Sequence, residues 1–302
     1  MPTPERIEAR NADLGDGMLV RRVLPTRQRR MVGAWCFLDH AGPVEFAQGH
    51  EMHVHAHPHT GLQTFTWLIE GEVLHRDSIG SEQVIRPGQV NLMTAGRGMV
   101  HTEDGLTPRL HAAQLWIALP PHMEDCAPAF QHHPELPQWS LEDCTFTLLA
   151  GEFAGQSAPT QVHTPLVGLD VLSTVARQLS LPLNPQFEYG LLPLEGQIQI
   201  DGEVFQTDEF AYLAPGSSSL DLRVAANTRL LLIGGEPFAP PITMWWNFVG
   251  LHRAYVIQAQ SDWESGTGRF PKVKGEAEGP RMPAPKLPWT QHASQRTVIP
   301  NS

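Results

Sequence analysis

Short apolar and β-branched runs alternate with turn signals along most of the chain, and helical periodicity is scarce. Glycine and proline punctuate the runs about every eight to twelve residues, which is typical of an all-β sandwich or barrel. The predicted strands include residues 62–69, 90–93, 113–119, 145–149, 190–194, 210–213 and 229–233. Residues 253–263 are the best candidate for a helix. The pattern therefore predicts an all-β protein with a short helix near its C-terminal end.

Two stretches of the chain resemble two later ones. Residues 69–73 (IEGEV) are similar to 194–198 (LEGQI), and residues 88–96 (GQVNLMTAG) are similar to 208–216 (DEFAYLAPG). The starting points lie 125 residues apart (69 and 194) and 120 residues apart (88 and 208). We interpret this as the internal duplication of a β-barrel unit. The alternative is two unrelated β units whose glycine-rich hairpins match by chance.

The chain has 302 residues, which suits two domains of roughly 100–200 residues each. A stretch dense in proline and histidine, 120–138, is the expected linker. We place an N-terminal barrel at 1–135, a C-terminal barrel at 136–270 and a proline-rich, poorly packed tail at 271–302.

Composition excludes several classes of protein. The net charge of −11 would repel a phosphate backbone, so we expect no direct nucleic-acid binding. No apolar run is long enough for a membrane span, and the first residues do not resemble a signal peptide. Three widely spaced cysteines without a CxxC pair favour a reducing, cytoplasmic location. The unusual feature is histidine, because seven of the fifteen lie between His40 and His75.

Four of these histidines (His53, His55, His57 and His59) occupy every second position, so in a strand their imidazoles project to one face. A second pair with the same spacing, His101 and Glu103, follows a turn-rich stretch. Imidazole suits zinc, iron, copper and nickel. The two motifs together predict a metal site at His57 and His59. Histidines at a surface rim or at the start of the strand explain His53 and His55 better.

The same residues resemble the signatures of a known family. Residues 57–64 (HPHTGLQT) and 91–103 (NLMTAGRGMVHTE) are similar to the two metal-site motifs of the pirins, a branch of the cupin superfamily. Residues 114–120 (QLWIALP), 234–237 (GGEP) and 241–245 (PITMW) are similar to further pirin segments. The resemblance covers roughly residues 15–270.

This resemblance implies a bicupin, with two tandem antiparallel β-barrels followed by a short helix and tail. It implies one divalent metal ion in the N-terminal barrel, held by His57, His59, His101 and Glu103. We expect iron(II), with manganese, nickel, copper, zinc or cobalt as alternatives. Some pirins cleave flavonols such as quercetin with dioxygen, whereas others are regulators that bind transcription-factor partners.

The sequence departs from the pirin motif at three positions. Thr60 replaces the usual arginine, Leu62 the usual phenylalanine and Gln63 the usual glutamate. Gln63 is not at a pirin ligand position, so we expect it to leave the metal site intact and make its surroundings less acidic. Without the arginine, Thr60 could alter the mouth of the pocket or remove a buried ion pair. The identity of the substrate is therefore open.

The second barrel lacks the metal-site residues. At the observed offsets, Pro182 and Asn184 stand where the first barrel has His57 and His59. The positions that correspond to the second motif carry Asp221 and Arg223. We therefore expect a structural role for the C-terminal barrel.

Three imidazoles and one carboxylate would leave a divalent ion with a net charge of about +1 and with open positions, which is typical of a catalytic site. We predict a dioxygenase acting on a small aromatic substrate, with Glu103 as a ligand or general base. Aromatic and apolar residues near the motifs could line its pocket or form ordinary barrel core, namely Phe65, Trp67, Leu92, Met93, Met99 and Trp116. His75 and His111 are expected to be solvated or to support the ligands. The alternative is a non-enzymatic, redox-sensing regulator that binds a protein partner, and in either case we expect a monomer.

Overall fold

A computed structural model describes residues 3–13, 18–47, 49–274 and 281–289. Within these ranges the chain forms 25 β-strands, one α-helix and a short 3-10 helix, Pro121–Met123. No helix in the described part of the chain is long and apolar enough to cross a membrane. The all-β prediction is therefore confirmed, and so is the position of the helix, α1 (Arg253–Ser265).

Twelve strands come from the N-terminal part of the chain: β1 (Glu5–Glu8), β2 (Arg10–Asp13), β3 (Leu19–Leu24), β4 (Trp35–Glu45), β5 (His53–His59), β6 (Leu62–Glu70), β7 (Val73–Asp77), β8 (Glu82–Ile85), β9 (Val90–Thr94), β10 (Met99–Gly105), β11 (Arg109–Ala118) and β12 (Ala129–His133). The C-terminal part contributes β13 (Gln138–Leu141), β14 (Cys144–Phe153), β15 (Gln156–Ser157), β16 (Leu166–Ser173), β17 (Arg177–Pro182), β18 (Glu188–Glu195), β19 (Gln197–Ile200), β20 (Glu203–Gln206), β21 (Glu209–Leu213), β22 (Ser219–Val224), β23 (Thr228–Gly235), β24 (Thr243–Trp245) and β25 (Phe248–Gly250).

The strands form two barrels of the same construction. In the first, a sheet in the order β12-β9-β6-β11-β4-β3-β2 faces a smaller sheet, β5-β10-β7-β8. In the second, the order β1-β21-β18-β23-β16-β14-β13 faces β17-β22-β19-β20. Each strand in these orders thus has a counterpart at the same place in the other barrel, whereas β15, which pairs with β14, has none. The shared strand order supports the predicted internal duplication of a β-barrel unit.

The second barrel receives an edge strand from outside its contiguous segment, whereas the edge strand β12 of the first barrel follows directly after it in the chain. β1 begins the chain but pairs with β21 of the second barrel, with Ile7 opposite Phe210. β12 lies in the predicted linker and pairs with β9 of the first barrel. The division of the chain at 135 and 270 remains a prediction, and β1 is a segment that crosses it.

The two larger sheets pack face to face in an apolar inter-barrel interface. Trp35 and Phe65 of the first barrel lie in one cluster with Phe210 and Ile233 of the second. The Trp35 indole N–H also donates to the carbonyl oxygens of Val167 and Gly234, each at 3.2 Å. Strands such as β6 are therefore buried on both faces, whereas β22 on the outer sheet alternates between exposed and buried positions.

The described residues from β24 onward, 243–274 and 281–289, form a C-terminal segment that covers one end of the first barrel. α1 packs its buried side chains, Val256, Ala259 and Trp263, against Ala56 and Val100 of that barrel. In residues 281–289 the Met282 N–H donates to Ala56 O at 2.9 Å, and the Trp263 indole donates to Met282 O at 3.0 Å. The expectation of a poorly packed tail is wrong for 281–289, because its side chains add to this apolar cluster. Residues 275–280 and 290–302 of the predicted tail lie outside the described residues.

Candidate metal centre

Two neighbouring strands of the smaller sheet position the histidines of the predicted site. β5 and β10 are antiparallel, with His101 opposite His57 and Met99 opposite His59. The register then shifts by one residue, so that Glu103 pairs with Val54. His57, His59, His101 and Glu103 all face the interior of the barrel and line one cavity.

The three imidazoles converge. The ring of His101 lies 4.3 Å from that of His57 and 5.0 Å from that of His59, measured between centroids. The Nε2 atoms of His59 and His101 are 3.1 Å apart. Each of the three residues can bring one nitrogen to within 4.8 Å of the other two. The structure therefore brings together all three predicted histidine ligands.

The surroundings hold these rings in the neutral form that binds metals. Burial lowers the pKa of His57 to about 4 and lowers the pKa values of His59 and His101 well below 6.5. The Nδ1–H of His57 donates to the backbone oxygen of His55 at 2.8 Å, which leaves Nε2 with a free lone pair. Unprotonated nitrogens as close as those of His59 and His101 repel each other unless a proton or a cation lies between them. The donor set thus fits a metal ion.

Glu103 lies beside this cluster without falling in the same group of three. It forms a second group with His101 and His75, in which one ligand atom of each lies within 4.8 Å of the others. Burial raises the pKa of the Glu103 carboxyl, which favours a proton on it unless a cation is near. Its assignment as the fourth ligand remains a prediction.

His75, which the sequence analysis expected to be solvated or to support a ligand, lies directly beside His101. It is 3% exposed, and its Nδ1 lies 3.3 Å from Nδ1 of His101. Its Nε2 lies 3.2 Å from Asp77 Oδ2, and Asp77 is fixed in turn by three backbone N–H groups of the following turn. This chain orients His101 with its Nε2 toward the cluster, as carboxylates do for metal-bound histidines. Of the two expected roles, support of a ligand is the one observed.

The cluster opens into a cavity of about 270 Å³. One wall is the indole of Trp116, which stacks on Phe37 with ring centroids 3.9 Å apart and meets His59 edge-on at 5.1 Å. Another part of the wall is polar, where Arg22 donates to both carboxylate oxygens of the buried Asp39, at 2.8 and 2.7 Å. The cavity thus combines a flat aromatic wall with a neutral polar end.

The C-terminal segment forms the cover of this cavity. Trp246, Asn247 and Met282 line it from outside the barrel. Trp246 has a left-handed backbone with a φ of 52°, and its ring meets Phe248 edge-on at 5.6 Å. The first barrel therefore depends on residues about 150–200 positions later in the chain for one wall of its site.

Most of the other apolar candidates are core. Of the six candidates named above, Trp116 lines the cavity, whereas Phe65, Trp67 and Leu92 belong to the inter-barrel core. The sequence analysis missed Phe37, because no motif contains it.

The two polar departures from the pirin motif lie away from the cavity. Thr60 is fully buried, and its hydroxyl donates to Val249 O at 3.2 Å. Gln63 donates to Thr94 Oγ1 at 2.9 Å and to Gln161 O at 3.1 Å, whereas its neighbour Thr64 faces the cavity. Both residues pack against β25 or the segment before β16 rather than shaping the pocket mouth.

The second barrel is filled with apolar side chains at the corresponding place. Leu181, Leu183, Leu220 and Leu222 are buried in its interior, while Pro182, Asn184, Asp221 and Arg223 point outward and are exposed. Among the described residues, the groups able to hold a metal ion all lie in the first barrel.

Two tandem β-barrels with a histidine-rich cluster inside one of them define a bicupin with a single metal-type site. Residues 17–117 match the Pirin family, and residues 168–271 match the Pirin C-terminal cupin domain. The chain belongs to the pirin family.

Two similar proteins match this chain over almost its whole length, and a third shares its fold. A Pseudomonas aeruginosa protein with the name "putative quercetin 2,3-dioxygenase" is 55% identical over 94% of this chain and 91% of its own. The crystal structure of a quercetin 2,3-dioxygenase from Acinetobacter baumannii matches with a TM-score of 0.93 and 46% identity, over 97% of this chain and 98% of that one. A bacterial pirin from Escherichia coli, solved in complex with nickel(II), shares the fold with a TM-score of 0.61 at 17% identity, over 78% of this chain and 100% of that one.

Proposed function

We propose that this protein is a metal-dependent dioxygenase that cleaves flavonols such as quercetin with molecular oxygen. The observation that carries the proposal is the convergence of three buried, neutral imidazoles at a cavity with a flat aromatic wall. The names of the two close relatives support the same substrate class.

His57, His59, His101 and Glu103 would hold one divalent ion, for which iron(II) is our first choice. Imidazole and carboxylate ligands also suit manganese, cobalt, nickel, copper and zinc. When bound, the ion would act as a Lewis acid that favours the ionised form of a substrate hydroxyl. Its net charge with this ligand set would be about +1, since one carboxylate accompanies three neutral rings.

The side chains of the cavity would bind and orient the substrate. A planar flavonol can lie against Trp116, whose position is fixed by its stacking on Phe37. Trp246 and Met282, which line the cavity from outside the barrel, would shield a bound substrate from part of the solvent. Glu103 would remain a ligand of the ion or take the proton of the substrate hydroxyl as general base.

The test is the consumption of quercetin under air by iron-loaded protein and by the Glu103→Gln variant, with metal content measured on both. We expect turnover by the wild-type protein and a loss of about 100-fold or more in the variant, even when corrected for bound metal. Equal turnover per bound metal would contradict the role of Glu103. No turnover of any flavonol by the metal-loaded wild-type protein would reject the proposed function and favour the regulator.

A further inference from the structure

A second, smaller cavity lies in the first barrel behind the metal centre. Its volume is about 50 Å³. It shares Asp39, Val54, Glu103 and Gln114 with the larger cavity, so the two adjoin along these four residues. The rest of its wall is mainly apolar and includes Val20, Ala41, Met52, Leu68, Val73 and Ala112.

The cavity exists because two small residues face each other across the sheet. Ala41 on β4 lies directly opposite Ala112 on β11. Nearer the metal centre, the same two strands place Phe37 opposite Trp116, and these rings fill the space. Leu68 on β6 is the other neighbour of Ala112. A pair of methyl groups among large side chains thus leaves a gap in an otherwise packed interior.

The chemistry of the wall excludes water better than it excludes an apolar gas. A buried water molecule needs two to four polar partners. Four residues of this wall are polar, and three of them are engaged: Asp39 accepts from Arg22, and Thr66 donates to Gln114 at 2.8 Å. The carboxylate of Glu103 is the remaining polar group, and one partner is too few to hold a buried water molecule. Small apolar cavities of this kind stay dry and bind apolar atoms or molecules such as xenon.

We propose that this apolar cavity binds dioxygen and delivers it to the metal centre past Glu103. The inference rests on the proposed dioxygenase function for its biological meaning. The substrate would occupy the larger cavity against Trp116, while dioxygen reaches the same ligands from the opposite, apolar side. The two reactants would then not compete for one entrance.

Xenon is the probe for the cavity, because it binds where small apolar molecules bind and needs no catalysis. In crystals of the metal-loaded protein under xenon pressure, we expect anomalous density between Ala41, Ala112 and Leu68. The Ala112→Val variant should lose this density, and Leu68→Ala should increase it by enlarging the gap. Absence of xenon from this cavity in both the wild-type protein and Leu68→Ala would overturn the proposal.

Oxygen kinetics test the delivery. We expect Ala112→Val to raise the KM for dioxygen several-fold while leaving the KM for quercetin unchanged. Ala113→Val is the matched control, since Ala113 is the next residue of β11 and lies in the inter-barrel core. An unchanged KM for dioxygen in a variant that no longer binds xenon would contradict delivery. If the wild-type protein consumes no oxygen with any flavonol, the proposed function fails, whereas the xenon result still decides whether the cavity binds apolar gas.

Discussion

The protonation state of three side chains controls the proposed site. His57, His59 and His101 are buried together, and burial disfavours their charged forms. Three imidazoles as close as these are stable as neighbours when they share a cation or remain neutral. A ligand role for the three rings therefore explains why so much histidine is placed inside an otherwise apolar barrel.

The first prediction concerns the removal of one ring. His57→Ala should abolish stoichiometric metal binding, because two imidazoles and Glu103 are left to hold the ion. His53→Ala is the control on the same strand, since its side chain is 46% exposed and pairs with Asp104. Metal analysis of both purified variants checks this. Equal metal content in the two variants would show that the ion, if any, binds elsewhere.

The second prediction concerns the support of His101. Asp77→Asn removes the carboxylate that orients His75 and should weaken metal affinity or activity by about 10–100-fold. Arg76→Gln is the control, because the Arg76 side chain pairs with Glu82 and Asp104 outside the cluster. Metal titration of the two variants measures the difference. Wild-type affinity in Asp77→Asn would mean that His75 does not position His101.

The sequence alone predicted the site residues whose partner lies two positions away on the same strand. It did not predict the site residues whose partners lie on a different strand. The spacing of His57 and His59, and of His101 and Glu103, places each pair on one face of a strand. His75 meets His101 through the pairing of β7 with β10, and Phe37 meets Trp116 through that of β4 with β11. Such contacts depend on the register between strands, which no local pattern of one strand specifies.

Among the elements, α1 and the segment 281–289 have the clearest effect on the site. Trp263 is 4% exposed. It contacts Phe270, Trp246 and Arg281, whose guanidinium lies 3.5 Å from the centre of its ring. This cluster holds Met282 and Trp246 over the cavity. The cover is therefore part of the folded structure.

The third prediction is that Trp263→Ala lowers the free energy of unfolding by about 3–5 kcal/mol through the cavity it leaves. It should also raise the KM for the substrate, since the cover loses its support. Arg281→Ala should cost only about 1 kcal/mol, through loss of the stacking on Trp263. Urea unfolding of the metal-loaded variants measures both effects. A similar loss in the two would show that the indole does not support the cover.

Alternation predicted seven of the strands, namely β6, β9, β11, β14, β18, β21 and β23, but not the pairing of β1 with the second barrel. A period of two shows that a segment such as 210–213 is extended, but not which sheet it joins. β1 and β12 have few apolar residues, although Ile7 of β1 is fully buried in the inter-barrel core and Phe130 of β12 packs against the core of the first barrel. The sequence pattern therefore did not predict these two strands.

At the scale of the whole molecule, four buried or half-buried groups bridge the two barrels. Nδ1 of His40 lies 2.6 Å from Asp208 Oδ1, and Nε2 of His40 lies 2.9 Å from Nε2 of His111. Nδ1 of His111 lies 3.2 Å from Glu195 Oε1. The two Nε2 atoms can lie this close when one ring donates its N–H to the other. These contacts join two residues of the first barrel, His40 and His111, to Asp208 and Glu195 of the second.

The fourth prediction is the pH dependence of stability. Burial, together with the charge of His40, lowers the pKa of His111 from 6.5 to about 4. Below pH 6.5 the unfolded chain therefore binds more protons than the folded one, and this group lowers stability as the pH falls toward 4. The effect should reach about 2–3 kcal/mol.

The comparison of wild-type protein with His111→Gln, both metal-loaded, isolates this group from the other histidines. The free energy of unfolding should fall less steeply between pH 7 and 4.5 in the variant. Parallel curves would show that His111 does not titrate within this range.

The most direct test of the central claim is oxygen uptake by the iron-loaded protein with quercetin, measured against the His57→Ala/His101→Ala double variant. If the convergent imidazoles form the catalytic metal site, the wild-type protein consumes oxygen in proportion to quercetin, and the double variant shows only the background rate. Equal rates in the two proteins would contradict the dioxygenase assignment.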